Sequence, residues 1–384
     1  MRITGDWLIT PATQAVCAML TEAGHSAYFV GGCVRNALMG EPVADIDIST
    51  DARPERVMEL ARAAGLQAVP TGIDHGTVTV ISHKVPHEIT TYRRDVETDG
   101  RRAVVAFADS IEEDARRRDF TMNALYADAS GAVRDPVGGL DDLKAHHVRF
   151  IDDPAARIRE DYLRILRFFR FNAWYGRAKG GFDREALAAI ADNLDGLETL
   201  SRERVGAEMI KLLSAPDPTR AVAAMDKAGV LLRILPGAVI SALGPLVYVE
   251  DEAGLAPDPV LRLAALGGED VAERLRLSKA QAKALAFFRH EVGAATPPAE
   301  IGYRHGAEQS EKLLALRAAL LQEHIDRKAF AEMEEGANAV FPIRAADLMP
   351  EYEGPALGER LRLLETLWIT SGFELTRDEL LRKD

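Results

Sequence analysis

The chain has 384 residues, 47% of them hydrophobic and 28% charged, the proportions of an ordinary globular protein of two or three domains. No apolar run approaches the ~20 residues of a membrane helix. The opening MRITGDW lacks the basic start and apolar core of a signal peptide, and two cysteines, Cys17 and Cys33, make neither a disulfide scaffold nor a structural zinc site, so the expectation is a cytoplasmic protein with no membrane association. A net charge of −13 argues against generic nucleic-acid binding through a broad basic surface and requires any RNA-binding patch to be concentrated.

In chain order, residues 10–24 carry Val16, Met19 and Leu20 at helical spacing and end at Gly24. The apolar run Ala27-Tyr28-Phe29-Val30 reads as a buried strand, Gly31-Gly32 as a turn, and Val34 to Leu38 as a helix start. Asp45-Ile46-Asp47-Ile48 alternates as a half-buried strand does, placing both acids on one face. Residues 54–65 read as a short helix with Pro first and Gly last. Strands are expected at Gln67-Ala-Val, at His75 to Ile81 and at His87 to Arg93, completing a mixed sheet. The charged stretch 93–107 reads as a mobile loop, with a surface hairpin as the alternative. Residues 111–125 resume as helix, with acids in the first turn where the dipole favours them. Beyond Asp152 only helices are expected, at 157–174, 184–193, 202–213, 218–228, 259–266, 279–291, 310–321, 326–335 and 355–371. The fold class is therefore an α+β head followed by a long helical remainder.

Three clusters carry chemistry. In the first, two like charges side by side on a strand are unfavourable unless a cation lies between them, and Mg²⁺, held by carboxylates together with substrate phosphates, is the simplest one. A glycine turn opening a helix brings backbone N–H groups close to phosphate, so residues 28–50 suggest a nucleoside triphosphate beside a metal site. Taken singly, Gly-Gly is a plain turn and Asp-x-Asp a solvated strand face. Glu88, expected on a strand with Thr90 and Tyr92, is a third carboxylate that would anchor metal and help deprotonate a hydroxyl, or else a surface residue. In the second cluster, RRRDFTMN (residues 116–123), arginine suits phosphate through its planar fork, and Thr121 and Asn123 suit a sugar. In the third, EDYLRILRFFR (residues 160–170), one continuous helix would place Tyr162, Ile165, Leu166 and Phe169 on an apolar arc and Asp161, Arg164 and Arg167 opposite, with Phe168 among the arginines and Arg170 at the edge. Spacing alone equally describes a salt-bridged surface.

GGCVRN…ADID, HEITTYR, RRDFTMNAL and EDYLRILRFFRF, in that order, resemble the class II branch of the nucleotidyltransferase superfamily, which holds the bacterial tRNA CCA-adding enzymes and poly(A) polymerases. The resemblance covers residues 27–174 strongly and the tail weakly. It implies a nucleotidyltransferase head (1–140), a helical neck with a base-reading helix (141–213), a helical body (214–295) and a helical tail that binds tRNA (296–384). It implies that Asp45 and Asp47 hold Mg²⁺, with Glu88 as third catalytic carboxylate. Gly31, Gly32, Arg35 and Arg118 would line the triphosphate, and Asp119 and Asn123 the ribose. Asp161 and Arg164 would read the base, supported by Arg167 and Arg170. CTP and ATP would be the substrates and tRNA the partner, with poly(A) polymerase or an A-adding enzyme as alternatives. Asn36 stands where the family's motif commonly has Asp, removing a charge pair with Arg35, and Ala345 or Ala346 stands at the tail's usual glycine.

Overall fold

The computed structural model describes residues 1–98, 103–177 and 180–382, in two compact units, Met1–Ile234 and Leu235–Asp384. The first unit begins with α1 (Asp6–Ile9) and α2 (Pro11–Thr21), then β1 (Tyr28–Val30), α3 (Gly32–Met39), β2 (Asp47–Thr50), α4 (Pro54–Ala63), β3 (Gln67–Gly72), β4 (Thr77–Ser82) and β5 (Val85–Thr91). It continues through β6 (Arg93–Thr98), β7 (Ala103–Phe107), α5 (Ile111–Arg116), β8 (Tyr126–Ala127), β9 (Val133–Arg134) and α6 (Gly139–Lys144). Helices α7 (Pro154–Glu160), α8 (Leu163–Tyr175), α9 (Arg184–Ala191), α10 (Arg202–Leu213), α11 (Thr219–Lys227) and α12 (Val230–Ile234) complete it.

Seven strands form one mixed sheet in the order β3-β4-β5-β2-β1-β8-β9. The β2–β5 pair is parallel and the other pairs are antiparallel. Alternation builds it: Ile48, Val78, Val80 and Ile89 are buried on the face covered by α2 and α4. On that face the His87 ring lies 3.1 Å from the Thr13 hydroxyl of α2. Glu88, the next residue, therefore projects from the opposite face. Ile46 and Ile48 are buried while Asp45 is exposed and Asp47 half-buried, as the alternation requires, although the strand begins only at Asp47.

Three expectations need correction. The stretch 93–107 is not a loop: β6 and β7 pair antiparallel, from Arg93 opposite Phe107 to Thr98 opposite Ala103, and its tip, 99–102, lies outside the described residues. In sequence, RRDVET is mostly charged and AVVAF apolar throughout, so neither run carries the period-two signal of a strand. The helix expected over 111–125 stops at Arg116, because Asp119 turns its Oδ1 onto the Phe120 N–H (2.9 Å) and Asn123 Nδ2 (2.9 Å), local bonds that compete with helix continuation. The helix expected over 157–174 is two helices, broken at Asp161 (φ −153°, ψ 104°), whose Oδ1 accepts the Leu163 N–H (3.1 Å) in the manner of a cap. Tyr162 is consequently only half-buried, while Leu163, Ile165, Leu166, Phe168 and Phe169 enter the core.

A phenylalanine cluster fastens the segment after α5 to α8. Phe120 lies 4.9 Å from Phe150 and 5.0 Å from Phe171, and Phe150 stacks on Phe168 at 5.7 Å. Gly139 packs directly on the Thr121 carbonyl, where a Cβ would collide with backbone.

Among the described residues the second unit is helical, with helices Leu243–Ala253, Pro259–Leu266, Val271–Arg274, Lys279–Glu291, Pro298–His305, Ala307–Leu321, Arg327–Asn338, Gly354–Thr370 and Arg377–Leu381. The helix Leu243–Ala253 escapes sequence reading because LGPLVYVEDEA, with Pro near its start and a β-branched and aromatic run, carries no helical stripe. One core gathers Leu246, Leu261, Phe288, Leu313 and Met333, and another Ile343, Leu364, Trp368 and Leu380. Glu250 and Arg262 form a fully buried ion pair, Nε to Oε2 2.9 Å. No helix among the described residues is long and apolar enough to cross a membrane.

Candidate active site

The site lies on the sheet face opposite α2 and α4, beside the part that α5 covers at Ser49. Parallel pairing makes Asp47 and Glu88 direct Cα partners, and a cavity of about 350 Å³ is lined by Asp45, Asp47 and Glu88 with Ala44, Ile46, Thr79, Val85 and Pro86. The Asp47 carboxyl is pushed up to about 6, first by burial, then by the Glu88 charge, with Arg118 opposing and Asp45 adding. Three carboxylates facing one cavity make a hard, all-oxygen donor set. Among the described residues no three acids, histidines or cysteines close on a point tightly enough to enclose an ion alone. Such a set fits a divalent cation that completes its shell with water and substrate oxygens. Tyr92, expected beside Glu88, instead packs with Ile111 and Ala115, its hydroxyl 2.9 Å from Ser26 Oγ.

Between β1 and α3 the chain turns at Gly31, whose φ of 74° and ψ of −123° suit glycine alone. A Cβ there would stand in ordinary contact with Arg118 Nη1, at 3.6 Å, so the turn and that guanidinium lie side by side. Cys33, the second residue of α3, points its thiol at the carbonyls of Val30 (3.4 Å) and Asp47 (3.7 Å); burial raises it to about 11 and keeps it inert.

Arg118 is held by Tyr126 and Asp114. Its Nε donates to the Tyr126 hydroxyl (3.2 Å) and its Nη2 to Asp114 Oδ2 (3.0 Å). Asp114 was read from sequence as one of several dipole-satisfying acids; it is instead completely buried. Burial alone would raise its carboxyl, but Arg118, Arg117 and the Tyr126 hydroxyl together hold it well below the usual carboxylate range. The sequence signal is an acid placed i, i+3 and i, i+4 from two arginines.

Asp119, Asn123, Arg35 and Arg167 form a second, continuous network. Asp119 Oδ2 accepts from Arg167 Nε (2.7 Å), Asn123 Nδ2 donates to Asp119, and Arg35 Nη1 donates to Asn123 Oδ1 (2.6 Å). Burial would raise Asp119, but Arg167 and the Asn123 amide keep it lowered. Arg35 lies over the Tyr175 ring at 4.1 Å and donates Nη2 to that residue's hydroxyl (2.8 Å). Asn36 keeps a hold on Arg35 despite lacking charge: its Oδ1 accepts from Nε (3.2 Å) and Nη2 (2.9 Å), and its Nδ2 donates to Pro42 O (2.8 Å). Thr121 does not face the site; it is buried and donates to Asp142.

At the head of α8, Asp161 Oδ2 accepts from Arg204 Nη2 of α10 (2.7 Å), a partner that the sequence did not suggest. Arg164 bonds Glu160 and donates to the carbonyls of Arg157 (2.9 Å) and, across the unit, Arg117 (2.9 Å). Arg170 Nε donates to Glu208 Oε2 (2.6 Å). The structure thus brings Asp45, Asp47 and Glu88 together, sets Arg118 by Gly31, and joins Asp119, Asn123, Arg35 and Arg167. It leaves Asp161 and Arg164 on either side of a helix break, each with its own partners.

Residues 27–149 match the family model for the poly A polymerase head domain, and residues 181–240 match that described as the probable RNA and SrmB-binding site of polymerase A. The mitochondrial CCA tRNA nucleotidyltransferase 1 of Mus musculus is 33% identical, over 97% of this chain and 90% of its own length. A CCA-adding enzyme of Streptococcus gordonii is 40% identical, over 56% of this chain and 53% of its own. Among solved structures, the Bacillus stearothermophilus CCA-adding enzyme in complex with CTP superposes with a TM-score of 0.75, at 25% identity and 94% of each chain. Identity sustained over nearly the whole chain, on the fold and site just described, makes this protein a member of the CCA-adding tRNA nucleotidyltransferase family.

Proposed function

We propose that the chain adds C, C and A to the 3′ end of tRNA from CTP and ATP, without a nucleic-acid template, releasing pyrophosphate. The observation that carries this is the parallel register of Asp47 with Glu88 on one sheet face, beside a glycine turn and an anchored arginine. Asp45 and Asp47 would hold Mg²⁺, which supplies activation of the 3′-hydroxyl and stabilises charge on the leaving pyrophosphate when bound. Glu88 faces the same cavity and takes up the hydroxyl proton. Gly31, Gly32 and Arg35 border the triphosphate, Arg118 offers Nη1 to it, and Asp119 with Asn123 receives the ribose.

Asp161 accepts from the exocyclic amine of cytosine or adenine, and Arg164 donates to the adjacent ring nitrogen. Uracil and guanine present a carbonyl there and would leave these groups unpaired, a strong basis for rejection. Arg167 and Arg170 steady the reading helix through Asp119 and Glu208. We assign catalysis to residues 1–140, base reading to 141–213, and the helical body and tRNA-binding tail to 214–295 and 296–384. Cytoplasmic work is the reading that composition favours, although the mouse relative carries a mitochondrial name.

The test is incubation with tRNA ending at its discriminator base, Mg²⁺ and labelled CTP and ATP. Two C followed by one A is expected. A on CC-ended tRNA alone would mark an A-adding enzyme, and a long A tract on unrelated RNA would replace the reading with polyadenylation.

A further inference from the structure

Asp114 is a completely buried acid with a full set of partners and no part in the chemistry above. Its Oδ2 accepts from Arg118 Nη2 (3.0 Å), from the Tyr126 hydroxyl (2.7 Å) and from Ser49 Oγ (3.3 Å). Its Oδ1 accepts from Arg117 Nε (3.0 Å) and from the backbone N–H of Arg93 (3.2 Å). Ser49 stands two residues from Asp47 on β2, and Arg93 is the first residue of the β6–β7 hairpin. One carboxylate therefore joins the metal-bearing strand, the root of the hairpin and the arginine beside the glycine turn.

The bonds around Arg118 close into a ring. Nε donates to Tyr126, Tyr126 donates to Asp114, and Asp114 receives Nη2 of the same guanidinium. Because the guanidinium is planar and rigid, fixing Nε and Nη2 fixes the direction of Nη1 as well. Nη1 has no hydrogen bond among the described residues and lies against the Gly31 turn.

We propose that Asp114 is a positioning residue for triphosphate binding: with Tyr126 it holds Arg118 so that Nη1 points to the Gly31 turn, and ties that grip to the root of the hairpin. The proposal rests on the reading in which Arg118 meets the triphosphate. Opening the ring lets the guanidinium pivot, so binding of nucleotide and of pyrophosphate weakens while the chemical step, carried by Asp47 and Glu88, does not change. Base choice is made elsewhere and stays as it was.

The experiment uses the full chain with CC-less tRNA, in steady state, comparing wild type with Tyr126→Phe, Asp114→Asn and Arg118→Gln. Melting curves identify any variant that fails to fold; Tyr126→Phe keeps the ring packing and carries the test if Asp114→Asn does not fold. Expected for Tyr126→Phe is a KM for CTP and a pyrophosphate inhibition constant each raised roughly three- to tenfold, with kcat and the CTP-over-UTP ratio within about twofold of wild type. Unchanged KM and inhibition constant in Tyr126→Phe, or a fall in kcat alone, would overturn the proposal. If Arg118→Gln raises both constants and neither ring variant does, the positioning role alone fails. Arg118→Gln leaving both constants unchanged would remove the triphosphate reading on which the proposal stands, and the proposal with it.

Discussion

In the absence of metal, the acidic pair at the centre of the sheet should make the protein less stable than it would be without it. Asp47 rises from 3.8 to about 6, through burial first and then Glu88. That is roughly two pH units, which at about 1.4 kcal/mol per unit gives an upper bound of about 3 kcal/mol of destabilisation at pH 7.5. The sign follows from proton binding. Between pH 4 and pH 6 the folded state holds a proton on Asp47 that the unfolded chain has lost, so stability falls as pH rises through this window. Asp47→Asn is neutral at every pH and nearly isosteric, so it should raise the melting temperature in EDTA at pH 7.5. A unit of this size gains about 2–4 °C per kcal/mol, so a rise of several degrees is expected. At pH 5 the wild-type carboxyl is already largely protonated in the fold, and the gain should shrink to about half. Calorimetry on both proteins at both pH values decides it. A variant no more stable than wild type, or a gain as large at pH 5 as at pH 7.5, would refute the argument that burial and Glu88 strain this carboxylate. The same variant should incorporate no nucleotide.

Further outcomes follow from other parts of the fold. Asp161→Asn should lower the preference for CTP over UTP by at least about tenfold, since an amide can pair with a carbonyl as well as with an amine; single-turnover incorporation on CC-less tRNA measures it, and an unchanged preference would contradict the base-reading assignment. Gly139→Ala drives a Cβ into the Thr121 carbonyl, so it should cost more than about 2 kcal/mol in denaturant unfolding, and a near-neutral result would contradict the close approach of those backbones. Arg262→Met removes the cation paired with buried Glu250 in the interior of the second unit, so the carboxyl must stay charged without it or take up a proton, with an expected loss of about 3–5 kcal/mol by the same method. A loss under about 1 kcal/mol would contradict a stabilising role for this buried pair.

Residues with period-two patterning were legible because burial of one face dictates it: Ile46, Ile48 and Ile89 announced the strands that carry the acids, and Val78 and Val80 their neighbour β4. Segments governed by side-chain-to-backbone bonds were not. Asp119 and Asp161 each end a helix by capping a nearby N–H, and nothing in local periodicity distinguishes such an acid from one on a solvated helix face. Asp114 was hidden for the opposite reason, since an acid in the first turn of a helix already has an adequate local explanation. Its burial depends on Tyr126, Ser49 and Arg93, which lie up to 65 positions away. Arg204 and Glu208, the partners of Asp161 and Arg170, were similarly invisible because they arrive from another helix.

The turn between β4 and β5 consists of His83 and Lys84 alone, both at positive φ (49° and 67°), and joins Ser82 directly to its partner Val85. Strand residues alternate between faces, so the length of that turn decides which of two neighbours stands opposite Asp47. Deleting one residue there would slide His87 or Ile89 into the position of Glu88 and turn the carboxylate toward α2. An insertion or deletion far from any reacting atom would thus act as a complete knockout while leaving every catalytic side chain in the sequence. Tolerance to length changes should therefore be low at this surface turn, a kind of place where folds usually accept them readily.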